Sequence, residues 1–180
     1  MQLNDQQKKQ LSALAEKALK AAVESRGFAL PDCPDENFKQ KSGVFITLMK
    51  NNRVRGCIGQ IEPILSLWRA VAENTQSAAI KDYRFPPVKP EELNNITIEI
   101  SVLTEPKKVK YDQIKPGEGV IIKNKQNQAT YLPEVWKSFE NKKQFFASLC
   151  QKAGLEFNCF KNKSTEFFTY KTIKFSEQKL

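Results

Sequence analysis

The 180-residue sequence contains no histidine, and this one absence removes several kinds of chemistry. A Ser-His-Asp triad, a Cys-His dyad, imidazole acid/base catalysis and any zinc site built on imidazole are excluded. Catalysis would have to use Cys, Asp, Glu, Lys, Tyr or an external cofactor, and the sequence points to no metal and no cofactor. No apolar run approaches the roughly 18–20 residues of a membrane helix, and Met1 to Lys20 lacks the apolar core of a signal peptide. The expectation is a soluble, unexported, cytoplasmic protein with no membrane partner. Nor is there a C-x-x-C pair among Cys33, Cys57, Cys150 and Cys159, so nothing suggests a zinc ribbon, an iron–sulfur cluster or a thioredoxin-type motif. The four read as reduced thiols, with a hidden disulfide pair left open.

What is present is a core. Forty per cent of the residues are hydrophobic, twelve of them Phe, and a chain of this length can bury about 70% of the surface its unfolded form exposes. Intrinsic disorder is excluded as the main state, and the length fits one domain, with or without a subdomain excursion. The net charge of +9 comes from 29 basic and 20 acidic residues. It is spread evenly: residues 1–90 hold 14 basic and 9 acidic groups, residues 91–180 hold 15 and 11. That spread reads as a lysine-covered surface more than as a nucleic-acid footprint. Arginine is different, because all five (Arg26, Arg53, Arg55, Arg69 and Arg84) lie in the first half.

Asn4 and Gln7 have the spacing of a capping box, and Leu11, Leu14, Ala15, Ala18, Leu19 and Ala22 recur at helical period up to a stop at Gly27. Residues 28–42 read as a surface loop. Gly43 to Leu48 reads as a buried strand, returned through Asn51-Asn52 into Val54–Ile58. Pro63 suits the first turn of a second helix ending near Asp82. Pro86, Pro87 and Pro90 force an extended passage into a strand at Ile96–Val102, where apolar and polar residues alternate. Residues 104–117 read as a basic loop, Gly119–Ile122 as a short strand followed by a polar turn through Asn127. Asn141 and Gln144 open a third helix with Gly154 as its cap, and Thr165–Phe175 closes the fold as one strand. Strands and helices do not alternate as βαβ units. The class is α+β, with a largely antiparallel sheet and flanking helices.

The segment that carries chemistry is Arg55-Gly56-Cys57-Ile58-Gly59. In an uninterrupted strand Val54, Gly56 and Ile58 share one face, and Arg55, Cys57 and Gly59 share the other. A guanidinium on the thiol's face, with a helix N-terminus a few residues on, favours the thiolate. One reading is therefore a reactive thiol, Cys57, beside a small-anion site made by Arg55 and the amides of Gly56 and Gly59. The other is that Cys57 is a small packed residue and the glycines mark a bulge or a close backbone approach.

This segment resembles the Leu-Arg-Gly-Cys-Ile-Gly signature of the AMMECR domain family, also known as AmmeMemoRadiSam system protein A, with Val54 in place of the leucine. Further similar blocks follow in order: Gly43-Val44-Phe45-Ile46-Thr47-Leu48, Glu62-Pro63, Asp82-Tyr83-Arg84-Phe85-Pro86-Pro87, Ile98-Glu99-Ile100-Ser101-Val102-Leu103, Leu132-Pro133 and Lys152-Ala153-Gly154-Leu155. Tyr83 stands where the family usually has proline, and Gln128-Ala129-Thr130-Tyr131 replaces a more glycine- and leucine-rich approach. The resemblance implies a single domain over residues 1–180 made of two unequal subdomains. The larger would hold both chain ends and the motif at residues 54–59, with the smaller inserted. It also implies association with a radical-SAM enzyme and a Memo-like protein, rather than a defined reaction.

Whether the chain is an enzyme is left open by these residues. In a site centred on Cys57, Glu62 is the nearest candidate base in chain order, with Asp82 or Tyr83 available if their loop folds back, and Arg84 is a candidate second anion ligand. Each has a plainer role: Glu62 as a helix cap, Asp82 paired with Arg84, Tyr83 as a rim residue. RNA binding is the alternative function, with Phe157–Tyr170 and Lys107–Tyr111 as the stretches that mix aromatics and lysines. No RRM, KH or helix-turn-helix signature supports it. A third possibility is a non-catalytic scaffold in which Cys57 is buried.

Overall fold

In the computed structural model, which describes residues 2–176, the capping box opens helix α1 (Asp5–Val23). Asn4 accepts the Gln7 N–H at 2.8 Å, and the Gln7 side chain accepts the Asn4 N–H at 3.0 Å. The helix stops before Gly27. Ser25 adopts φ 54°, and the Arg26 N–H reaches the Ala21 carbonyl at 2.9 Å, so a serine occupies the left-handed capping position. In the loop that follows, a short 3-10 turn at Glu36–Lys39 buries Phe38, which stacks on Trp68.

Strands β1 (Val44–Lys50) and β2 (Arg53–Gln60) form the expected antiparallel hairpin, closed by Asn51 and Asn52 at φ 50° and 59°. Helix α2 (Leu67–Ile80) starts later than Pro63 suggests, and Ile64, next to that proline, is 60% exposed. Residues 65–67 are held extended against 40–42 first. Ser42 N–H bonds the Leu65 carbonyl, Leu67 N–H bonds the Gln40 carbonyl, and only then does Ser66 cap the helix.

The chain continues through a 3-10 turn at Pro90–Asn95 into β3 (Ile96–Leu103), β4 (Lys107–Val109), β5 (Gly119–Asn124), β6 (Asn127–Tyr131), helix α3 (Lys142–Lys152), β7 (Glu166–Tyr170) and β8 (Thr172–Ser176). The described residues form two four-stranded sheets, in the orders β2-β1-β3-β8 and β4-β7-β5-β6. The α+β expectation holds. Two local readings need correction: the basic loop contains β4, and Thr165–Phe175 is two strands in different sheets. The break falls at Lys171, whose carbonyl accepts the Thr104 N–H and whose N–H donates to Thr104 Oγ1.

The chain divides into two compact units, one formed by residues up to Leu103 together with those from Ile173, the other by Thr104–Thr172. In the first, α1 packs on α2, and α2 on β1 and β2, around Leu11, Leu14, Val44, Ile46, Leu48 and Val71. The second has its own aromatic core, in which Trp136 stacks on Phe145 at 3.7 Å between centroids. Cys150 and Cys159 are joined in a disulfide there, which corrects the expectation of four reduced thiols. The reason is local. Gly154, at φ 71°, ends α3 with Leu155 N–H on the Cys150 carbonyl, and this sharp stop turns the chain back until the two Cα atoms are 5.8 Å apart.

Candidate functional site

Strand β2 is the edge of its sheet, so each residue's backbone groups point either to β1 or to open space. Counting back from the Asn51-Asn52 turn without interruption would set Thr47 opposite Gly56. The observed pairs are Met49 with Val54, Leu48 with Gly56 and Thr47 with Cys57, leaving Arg55 as the extra residue of a β-bulge. The bulge breaks the alternation expected over 54–59.

Its first consequence concerns the glycines. Gly56 faces the helix side with Leu48, and a Cβ there would lie 2.2 Å from the Ala78 carbonyl of α2. At Gly59 a Cβ would lie 2.4 Å from the Phe45 ring. Both positions need glycine for close approach, independently of any ligand.

Its second consequence concerns Arg55. The guanidinium grips Glu92 through Nε (3.1 Å) and Nη2 (2.9 Å), and donates to the carbonyls of Pro86 (2.8 Å) and Pro87 (3.2 Å). Lys50 shares the carboxylate at 2.7 Å. The Arg55 fork, then Lys50, bring the Glu92 pKa down to about 2 against the opposing effect of burial. Arg55 thus ties the passage 86–92 to the strand.

Cys57, paired with Thr47, lies on the face opposite Gly56, half-buried, with Sγ 3.2 Å from Thr47 Oγ1. Its backbone N–H donates to Asp82 Oδ2 at 2.8 Å, and its carbonyl accepts from Arg84 Nη2 at 3.0 Å. Two side chains thereby supply the bonds a further strand would make to this residue. They also pair with each other, Arg84 Nη2 to Asp82 Oδ2 at 2.7 Å and Nε to Oδ1 at 2.9 Å. Arg84 is the main reason the Asp82 pKa sits well below the carboxylate range, and Asp82 in turn raises that of Arg84. Asp82 is buried, whereas the Arg84 side chain is 49% exposed. Tyr83 between them is 95% exposed.

Of the candidate residues, the fold joins Cys57 with Asp82 and Arg84, sends Arg55 to Glu92, and leaves Glu62 exposed in the bend after β2, ahead of the Ser66 cap. Sequence reasoning missed Thr47 and Glu92. Thr47 becomes visible only once the bulge is known, and Glu92 has no local signal. No group of His, Cys, Asp or Glu able to hold a metal occurs among the described residues, nor is any helix among them long and apolar enough to cross a membrane. In the stretch 157–170, Phe160 and Phe167 belong to the second unit's core, while Phe157 is exposed.

The AMMECR1 family pattern matches residues 12–175. The chain belongs to the AMMECR1 family. A Methanothermobacter thermautotrophicus protein is 38% identical over 162 residues, covering 85% of this chain and 84% of that one. Protein NEQ441 of Nanoarchaeum equitans is 34% identical over 181 residues, covering 93% and 98%. The crystal structure of the uncharacterized protein PH0010 from Pyrococcus horikoshii superposes with a TM-score of 0.87 at 30% identity, over 98% of this chain and 94% of that one. The bulge, the Arg55 fork and the Asp82–Arg84 clamp are therefore described on an AMMECR1 fold.

Proposed function

We propose that this AMMECR1 protein presents the Cys57 thiol to a small ligand and acts in company with a radical-SAM enzyme and a Memo-like protein. The observation that carries the reading is the clamp. Asp82 and Arg84 hold both backbone groups of Cys57, which fixes the position of a half-buried sulfur whose polar neighbour is the Thr47 hydroxyl. Arg55 and the glycines act as positioning elements, since their groups serve the 86–92 passage and the packing of α2. Arg84 remains the cation next to the site, its charge partly answered by Asp82.

The clamp loop also supports action with partners. It displays Tyr83 almost fully to solvent, with the half-exposed Arg84 beside it, and Tyr and Arg are the residue types that anchor interfaces. The test is co-purification with the products of neighbouring genes, followed by intact-mass and peptide-level mass spectrometry of Cys57. The reading expects co-purification and a mass adduct at Cys57 that is absent in Cys57→Ser. An unmodified Cys57 in the assembled complex, with Cys57→Ser fully active, would refute the thiol role.

A further inference from the structure

The tip of the β1–β2 hairpin holds a charge arrangement that neither the clamp nor the thiol uses. Lys50 and Arg53 face each other directly across the Asn51-Asn52 turn, and like charges in that position repel. Glu92 answers Lys50 but is already gripped by Arg55. Arg53 is exposed, and its side chain has no hydrogen-bond or ion-pair partner among the described residues. Three cations against one carboxylate leave a formal excess of two positive charges.

These groups surround an open concavity of about 420 Å³ lined by Lys50, Asn51, Arg53, Val54 and Arg55. Three of the five are cationic and none is acidic. The left-handed Asn51 and Asn52 fix the turn, and Glu92 holds the Lys50 and Arg55 side chains, so the backbone and two of the three cations are in place before any ligand arrives, with Arg53 at the exposed rim. Local rules broken without an internal compensation are characteristic of functional positions.

We propose that this concavity binds the phosphoryl group of a phosphorylated small molecule, with Arg53 and Lys50 as its direct ligands. A dianion matches the excess of two charges, and a guanidinium fork matches phosphate oxygens. The concavity is larger than a bare phosphate fills, which leaves room for the rest of the molecule. Single-stranded nucleic acid is disfavoured as the occupant because no aromatic side chain lines the site to stack a base. The site does not depend on the Cys57 thiol.

The experiment is calorimetric titration of the full chain with inorganic phosphate and with phenyl phosphate at fixed, physiological ionic strength. Arg53→Gln is the test variant, exposed and without a partner to lose; Arg69→Gln, on the exposed face of α2, is the control. Saturable binding by the parent protein, weakened about tenfold by Arg53→Gln through loss of a charge-assisted contact and unchanged in Arg69→Gln and Cys57→Ser, is the expected result. Absence of saturable binding, or equal weakening by Arg53→Gln and Arg69→Gln, overturns the proposal. So does binding of a short single-stranded RNA that requires Arg53 while neither phosphate probe saturates.

Discussion

Asp82 accepts the backbone N–H of Cys57 at 2.8 Å, across 25 residues of sequence. The bond sits at a sheet edge, where unpaired backbone groups would otherwise face solvent or another chain. Because the same carboxylate binds Arg84, and Arg84 binds the Cys57 carbonyl, the three residues form one closed unit.

Asp82→Ala should cost about 3 kcal/mol, because it leaves the Cys57 amide unsatisfied and Arg84 without its partner. Arg84→Ala should cost less, about 1 kcal/mol, since the guanidinium is half in water. Urea unfolding of the two variants checks the order. Equal losses would show that the pair, and not the buried carboxylate, dominates.

The acid limb of stability follows from Glu92 and Asp82, both of whose pKa values are depressed in the folded state. A depressed carboxylate stabilises above its unfolded value and loses that contribution as pH falls toward its folded value. For Glu92 the window runs from the ordinary 4.5 down to about 2. Stability should therefore be level above roughly pH 5 and fall below it, with Glu92 contributing on the order of 3 kcal/mol. Glu92→Gln should lower stability at neutral pH by that order and flatten the acid slope, as read by urea unfolding from pH 7 to pH 2.

Gly56→Ala should be among the most damaging single changes in the first unit. Its Cβ would meet the Ala78 carbonyl, a backbone atom that cannot rotate aside, so α2 must shift. A loss of about 2–4 kcal/mol is expected from such overpacking. A melting temperature unchanged from the parent would contradict the close approach.

Reduction of the Cys150–Cys159 disulfide opens a loop spanning nine positions, worth about 2–3 kcal/mol by loop-closure entropy. Hydrogen exchange with and without reductant should show the loss in α3 and its neighbours in the second unit, while α1 and α2 keep their protection. Uniform loss through both units would count against separate cores.

The parts of this fold legible in the sequence are those governed by local chemistry. The Asn4–Gln7 capping box, the Asn51-Asn52 hairpin and the alternation at Ile96–Val102 each depend on residues within one element. The start of α2 was not legible, because bonds from residues 40–42 hold 65–67 extended and override the helix preference after Pro63. The bulge at Arg55 was hidden for a similar reason. Nothing in Val54-Arg55-Gly56 marks it, yet it decides that Arg55 meets Glu92 and that Thr47 meets Cys57. Asp82 and Arg84 could be named as candidates near Cys57, but their bonds to its backbone depend on where α2 ends.

The central claim, that Cys57 is presented rather than packed away, is tested most directly by iodoacetamide labelling of the native protein, read at each cysteine by mass spectrometry. Half-buried Cys57 and Cys33 should both label under native conditions, at rates insensitive to low urea, while disulfide-bonded Cys150 and Cys159 stay unlabelled. Labelling of Cys57 that rises with urea in step with global unfolding, while Cys33 labels freely, would show a packed residue and contradict the account.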